Sequence, residues 1–212
     1  MATLSITSLS RSYRAGVDGC SARVSVLRGL DLALWPGEIV ALAGARASGR
    51  TTLLRCAAGI LQPDAGSISW LGARSAPRGA IAYVGTGSAH PSSGESIRGL
   101  NDCGALYSTL HQRSATRARL LLIDDLEHAT RIERRLVLSL VRRYALAGAA
   151  VLFAADEELA ALPGVTRVVA LTNGALAQRR KRSAARIAAS SRASRARTSA
   201  RSTYGRSFRS PQ

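Results

Sequence analysis

Over residues 1–178, short apolar runs alternate with stretches of helical periodicity, the arrangement of a layered α/β domain. Residues 2–9 and 24–35 read as strands. Trp35-Pro36-Gly37-Glu38 is a tight turn, with Pro and Gly where such turns favour them. Ile39–Ala43 is wholly apolar and reads as a buried strand, with a glycine-flanked loop directly after it. Residues 51–60 predict a helix closed by Gly59 and Pro63. Strands follow at 67–71 and 80–84, then a Gly-, Ser- and Pro-rich loop over 85–104. Leu120–Ile123 is a short apolar strand ending at Asp124. Ile132, Leu136, Val137, Leu140, Val141 and Tyr144 fall on one face of a helix over 133–146. Strands at 149–154 and 166–171 complete the pattern, with Asn173-Gly174 a hairpin turn after the second. No internal repeat interrupts this order.

Composition divides the chain at residue 178. Of 212 residues, 46% are hydrophobic, enough for one sizeable core and too few for two ordinary domains. The net charge is +17, of which residues 179–212 carry +11, with no acidic residue among them. That tail is rich in Arg, Ser and Ala, and only Ile187, Tyr204 and Phe208 are large and apolar, so it is expected to be disordered. Lys181 is the only lysine among 30 basic residues, a sequence-wide bias that weakens the meaning of any one Arg found in place of Lys. No run reaches the roughly 18 to 20 apolar residues of a membrane-spanning helix. Arg11 and Arg14 follow the first apolar residues, an order unlike a signal peptide. Cys20, Cys56 and Cys103 are widely spaced and read as reduced thiols, and His90, His111 and His128 have no metal-ligand spacing. A soluble intracellular protein is the expectation.

The chemistry concentrates at Gly44-Ala45-Arg46-Ala47-Ser48-Gly49-Arg50-Thr51-Thr52. This matches the phosphate-loop pattern G-x-x-x-x-G-K-[ST] everywhere except at Arg50, and it lies between an apolar strand and a helix, as that pattern requires. Backbone N–H groups of such a loop, with the helix N-terminus, form an anion cradle. Gly44 and Gly49 permit the backbone angles and the close phosphate approach that a Cβ would block. The hydroxyl of Thr51 suits Mg²⁺, and Arg50 keeps a positive charge beside the phosphates, although its planar fork is bulkier than an ammonium.

A longer succession carries a family resemblance. Val26-Leu27-Arg28-Gly29-Leu30-Asp31-Leu32, Pro36-Gly37-Glu38-Ile39-Val40-Ala41-Leu42, the loop, Leu53-Leu54-Arg55, Gly59 and Pro63-Asp64-Ala65-Gly66-Ser67-Ile68 together resemble the N-terminal half of ABC-transporter ATPase subunits. The resemblance implies a P-loop NTPase-like fold binding Mg·ATP, with Tyr13 as the aromatic that stacks on adenine. Leu120-Leu121-Leu122-Ile123-Asp124-Asp125 resembles the Walker B strand, which implies Asp124 as the residue supporting Mg²⁺ through water and Asp125 at the position of the catalytic carboxylate. Val168-Val169-Ala170-Leu171-Thr172-Asn173-Gly174 resembles the closing strand and turn.

Departures from the family pattern fall on catalysis. Asp125 stands where the family has Glu, one methylene shorter than a base that must reach its water. Ala155, in Phe153-Ala154-Ala155-Asp156, stands where the switch His belongs, and Thr86 replaces the Gln of the Gln loop in Tyr83-Val84-Gly85-Thr86. No LSGGQ signature is present; Ser92-Ser93-Gly94-Glu95-Ser96 is only superficially similar. The 38 positions from Thr86 to Asp124 imply a reduced helical subdomain. The expectation is therefore a cytoplasmic ATP-binding subunit with weak or absent hydrolysis, peripheral on the inner face of the membrane, with a permease and a second ABC ATPase subunit as partners. The alternatives are a non-catalytic regulatory nucleotide-binding module, and nucleic-acid or anionic-membrane binding through the tail.

Overall fold

The computed structural model describes residues 1–17, 20–77, 79–84, 118–124, 126 and 131–179. Two sheets build it. One is antiparallel, in the order β2-β1-β4, from β1 (Leu4–Val17), β2 (Cys20–Leu34) and β4 (Ala65–Trp70). The other has six strands in the order β5-β6-β7-β3-β8-β9: β3 (Ile39–Ala43), β5 (Ile81–Val84), β6 (Leu120–Ile123), β7 (Ala150–Ala155), β8 (Arg167–Thr172) and β9 (Ala175–Arg179). Its first five strands run parallel and β9 returns antiparallel on β8, so the α/β class read from the sequence holds.

The parallel strands are apolar on both faces because both faces are covered. Ile39, Ala41, Ala43, Leu121, Ile123, Val151 and Phe153 pack with helix α2 (Arg131–Leu146). The alternate residues Val40, Leu42, Leu120, Leu122 and Leu152 pack with α1 (Arg50–Ala57) and the antiparallel sheet. One sheet therefore carries two cores. At the ends of the central strands the chain must leave this covered layer, and there the polar chemistry gathers.

The structure corrects several boundaries. Helix α1 closes at Ala57, earlier than residue 60, but by the glycine expected: Gly59 N–H donates to Cys56 O and Ile60 N–H to Arg55 O, each at 2.9 Å. Strands β1 and β2 run to Val17 and from Cys20, well past residues 9 and 24. Cross-strand pairing, not apolar alternation, forms this polar ribbon of Arg, Ser and Ala. On α2, Ile132 and Leu136 are 74% and 47% exposed, while Leu138 and Ala145 join Val137, Leu140, Val141 and Tyr144 in the buried face. Strand β9 and the short helix α3 (Glu157–Ala160) are additions to the sequence reading. Among the described residues no helix is long and apolar enough to cross a membrane.

Candidate functional site

Strand β3 delivers the phosphate loop to the carboxyl end of the parallel sheet, where ligands of open α/β sheets bind. Its neighbours β7 and β8 run alongside, with Ala43 in register with both Ala155 and Ala170. The ends of β3, β6 and β7 thus present the loop, Asp124 and Ala155-Asp156 side by side at the carboxyl end of the sheet.

Gly49 caps α1 with φ +101°, a backbone angle that residues with a Cβ rarely adopt. Space forbids a side chain there too, since a Cβ would lie 2.9 Å from Val26 Cγ1 and 3.0 Å from Leu27 Cδ2. At the other end of the loop, a Cβ on Gly44 would lie 2.6 Å from Ser48 Oγ and 2.7 Å from Leu171 O. The loop is therefore held open by its two glycines and braced by β2 and β8. Ser48 Oγ is buried with no hydrogen-bond partner among the described residues. A buried hydroxyl left without a partner is costly, and an anion in the cradle would supply one. Ala45, Arg46 and Ala47 form the exposed rim, and Thr51 and Thr52 are half-buried in the first turn of α1.

Arg50 is 8% exposed, and its Nη1 donates to Ala155 O at 3.2 Å. One arm of the guanidinium therefore reaches across to the end of β7, where the family resemblance expects a histidine. Asp124 is 7% exposed at the end of β6, and Tyr83 Oη donates to its Oδ2 at 3.4 Å. Burial, and next the Asp124 charge, push the Tyr83 phenol up to about 12, so it remains a neutral donor. A buried carboxylate and a threonine hydroxyl are the oxygen donors Mg²⁺ takes, so Asp124 and Thr51 fit that ion. Asp156 instead has a structural role: its Oδ1 accepts the Leu159 N–H at 2.7 Å and its Oδ2 pairs with Arg134 at 3.2 Å.

Tyr13 arrives from the other sheet. It is 39% exposed on β1, and its hydroxyl lies 3.3 Å from Thr52 Oγ1. Residues 39 apart in sequence, one on strand β1 and the other on helix α1, thereby meet at the mouth of the loop. A cavity of about 490 Å³ adjoins the loop, with Val24, Val26, Arg28, Arg46, Ser48 and Asn173 in its wall. Sequence reading missed the contribution of β2 to this wall. The signal available was Arg28, which stood in the family segment with no site role attached and lines the wall together with Arg46 of the loop. Asp125, Thr86, the segment 92–96, His90, His111, His128, Cys103 and residues 180–212 of the tail lie outside the described residues.

The ABC transporter family model matches residues 27–98, the stretch that contains the loop and its flanking strands. The chain has the fold and the N-terminal sequence of an ABC-transporter ATP-binding subunit. It is 44% identical over 66 residues to the cytochrome c biogenesis ATP-binding export protein CcmA of Cupriavidus necator, covering 28% of this chain and 29% of that protein. It is 37% identical over 83 residues to the lipoprotein-releasing system ATP-binding protein LolD of Ruegeria pomeroyi, covering 39% of this chain and 35% of that one. These matches span about a third of the length of the curated relatives. The fold likeness reaches further. A dimeric ATP-binding cassette in a post-hydrolysis state, bound to ADP and Pi, superposes with a TM-score of 0.65 at 14% identity, covering 84% of this chain and 99% of that chain. The family match is thus confined to residues 27–98, around the phosphate loop, while the fold likeness takes in 84% of the chain.

Proposed function

We propose that this chain binds Mg·ATP and hydrolyses it weakly or not at all, as a nucleotide-binding subunit in the manner of ABC transporters. The observation that carries the reading is the meeting of Tyr13 with Thr52 beside a loop held open by Gly44 and Gly49. An aromatic ring for the base and a backbone cradle for the phosphates are the two halves a nucleoside triphosphate needs. Gly44 to Thr52 hold the phosphates, Ser48 Oγ gains its missing partner from one of them, and Thr51 and Asp124 hold the ion. The bound Mg²⁺ would neutralise charge on the phosphates.

Weak hydrolysis rests on Ala155. A methyl group cannot donate to a γ-phosphate, and the carbonyl of the same residue takes a hydrogen bond from Arg50. Asp125 would be the catalytic carboxylate, shorter than Glu, and Thr86 would stand at the Gln-loop position. A membrane permease and a second ATPase subunit would be partners, with the chain cytoplasmic and peripheral on the inner face of the membrane. A paired, intact cassette would then supply the turnover. Residues 1–178 would form the nucleotide-binding domain, and the basic residues beyond would add salt-dependent affinity for anionic polymers or lipid. Calorimetric titration of the full chain with Mg·ATP and with magnesium tripolyphosphate tests the binding claim, both ligands being expected to bind and ATP more tightly. No heat with either ligand overturns it.

A further inference from the structure

Asp64 lies in the segment after α1, and its backbone N–H donates to Ser10 O at 2.8 Å. At this point β4 stops accompanying β1: the last pair is Ser10 with Ala65, and beyond it β1 is paired with β2 alone. An isolated two-stranded ribbon is weakly held in water and has little to fix its twist. The Asp64 carboxylate supplies that restraint. Its Oδ2 accepts the Ser12 N–H at 2.8 Å and the Ser12 hydroxyl at 2.5 Å, and its Oδ1 accepts Arg11 Nη1 at 2.7 Å. From β2, Arg23 Nη2 reaches Oδ2 at 3.2 Å while its Nε donates to Ser12 Oγ at 2.7 Å. One side chain therefore ties both strands of the ribbon together immediately before Tyr13.

Arg11 is held in a particular place by this bond. Its Cζ sits 5.3 Å from the centroid of the Tyr13 ring, within cation–π range, and covers one face of it. The pairing register of β1 on β2 slips between Arg11 and Ser12, an irregularity of the kind that re-aims the next side chain. None of the bonds that Asp64 makes here goes to the phosphate loop. The Ser12 hydroxyl and amide, outweighing the burial that opposes them, hold the Asp64 carboxyl down at about 2, so the clamp is fully charged at neutral pH.

We propose that Asp64 is a positioning residue for base recognition: through Ser12 and Arg11 it sets the tilt of Tyr13 and closes one face of its ring, leaving the other for a purine. This inference rests on Tyr13 being the stacking residue and adds what aims it. It separates the site into a base end controlled by Asp64 and a phosphate end independent of it.

The test compares Mg·ATP with magnesium tripolyphosphate, which has no base, on the full chain carrying Asp64→Ala, Asp64→Asn, Tyr13→Ala or both Tyr13→Ala and Asp64→Ala. Stacking of a base on an aromatic ring is worth roughly 5- to 150-fold in affinity, so Tyr13→Ala should weaken ATP by about tenfold and leave tripolyphosphate unchanged. Asp64→Ala should weaken ATP by about fivefold, again sparing tripolyphosphate, and should add nothing once Tyr13 is gone. Asp64→Asn keeps an acceptor but loses the charge facing Arg11, and should show the same selective loss at smaller size. Equal loss of both ligands on Asp64→Ala makes the residue merely structural and overturns the proposal, as does an additive double variant. If Tyr13→Ala leaves ATP affinity unchanged, the stacking reading fails and the proposal fails with it. If tripolyphosphate does not bind the unmodified chain, it is the phosphate-loop reading that fails.

Discussion

The phosphate loop and the β1–β2 ribbon converge on one site by different physical means. The loop is a backbone device: two glycines, a buried strand and a helix N-terminus fix it, and the neighbouring Val26, Leu27 and Leu171 leave it little room to move. The ribbon is a side-chain device, in which one carboxylate gathers Arg11, Ser12 and Arg23 and so aims Tyr13. Backbone devices tolerate almost no substitution at their glycines. Side-chain devices should weaken in steps and only toward the group they aim at.

The largest expected effect is at the loop. Gly49→Val forces a β-branched residue into φ +101° against Val26 and Leu27. It should cost about 2–5 kcal/mol in denaturant unfolding and remove both ATP and tripolyphosphate binding. An unchanged midpoint with binding retained would mean that the loop is not as tightly braced as its contacts imply. Next comes Arg50→Ala, which deletes a buried cation beside the cradle. Both ligands should weaken alike by roughly 10- to 100-fold, the scale of one charge-assisted hydrogen bond. Loss confined to ATP would erase the distinction between the phosphate end and the base end. The smallest effect is in acid. Asp64 is lowered from 3.8 to about 2 in the folded chain, so its contribution to stability is full above about 4 and is lost as pH falls toward 2. Thermal scans from pH 5 to 2 should show a shallower decline for Asp64→Asn than for the unmodified chain. Parallel declines would mean that the clamp does not contribute.

The same contrast explains what the sequence disclosed. Ile39–Ala43 and Leu120–Ile123 were readable to the residue, because an unbroken apolar run bounded by polar or glycine residues has one solution when both faces are covered. The loop was readable because glycine spacing reports backbone angles directly. The ribbon was not: residues 10–23 carry Arg, Ser, Ala and Gly with no alternation, and their strand character comes from pairing across the hairpin. Ile132 was placed on the buried face of α2 by periodicity alone, yet it is exposed, since periodicity gives the apolar stripe but not its width or what lies opposite. Asp64 stood in the quoted family segment with no role attached. Its partners lie 52 and 53 residues away in sequence at Ser12 and Arg11, a distance at which only the fold reveals a contact.

The most direct test of the central claim is to titrate the unmodified full chain with Mg·ATP by calorimetry while following phosphate release from the same protein. Saturable binding with phosphate release far below about 1 s⁻¹, an ordinary enzyme rate, is the expected result. Turnover at that rate or faster by the chain alone would contradict a site in which Ala155 replaces the phosphate-sensing donor, and absence of binding would contradict the site itself.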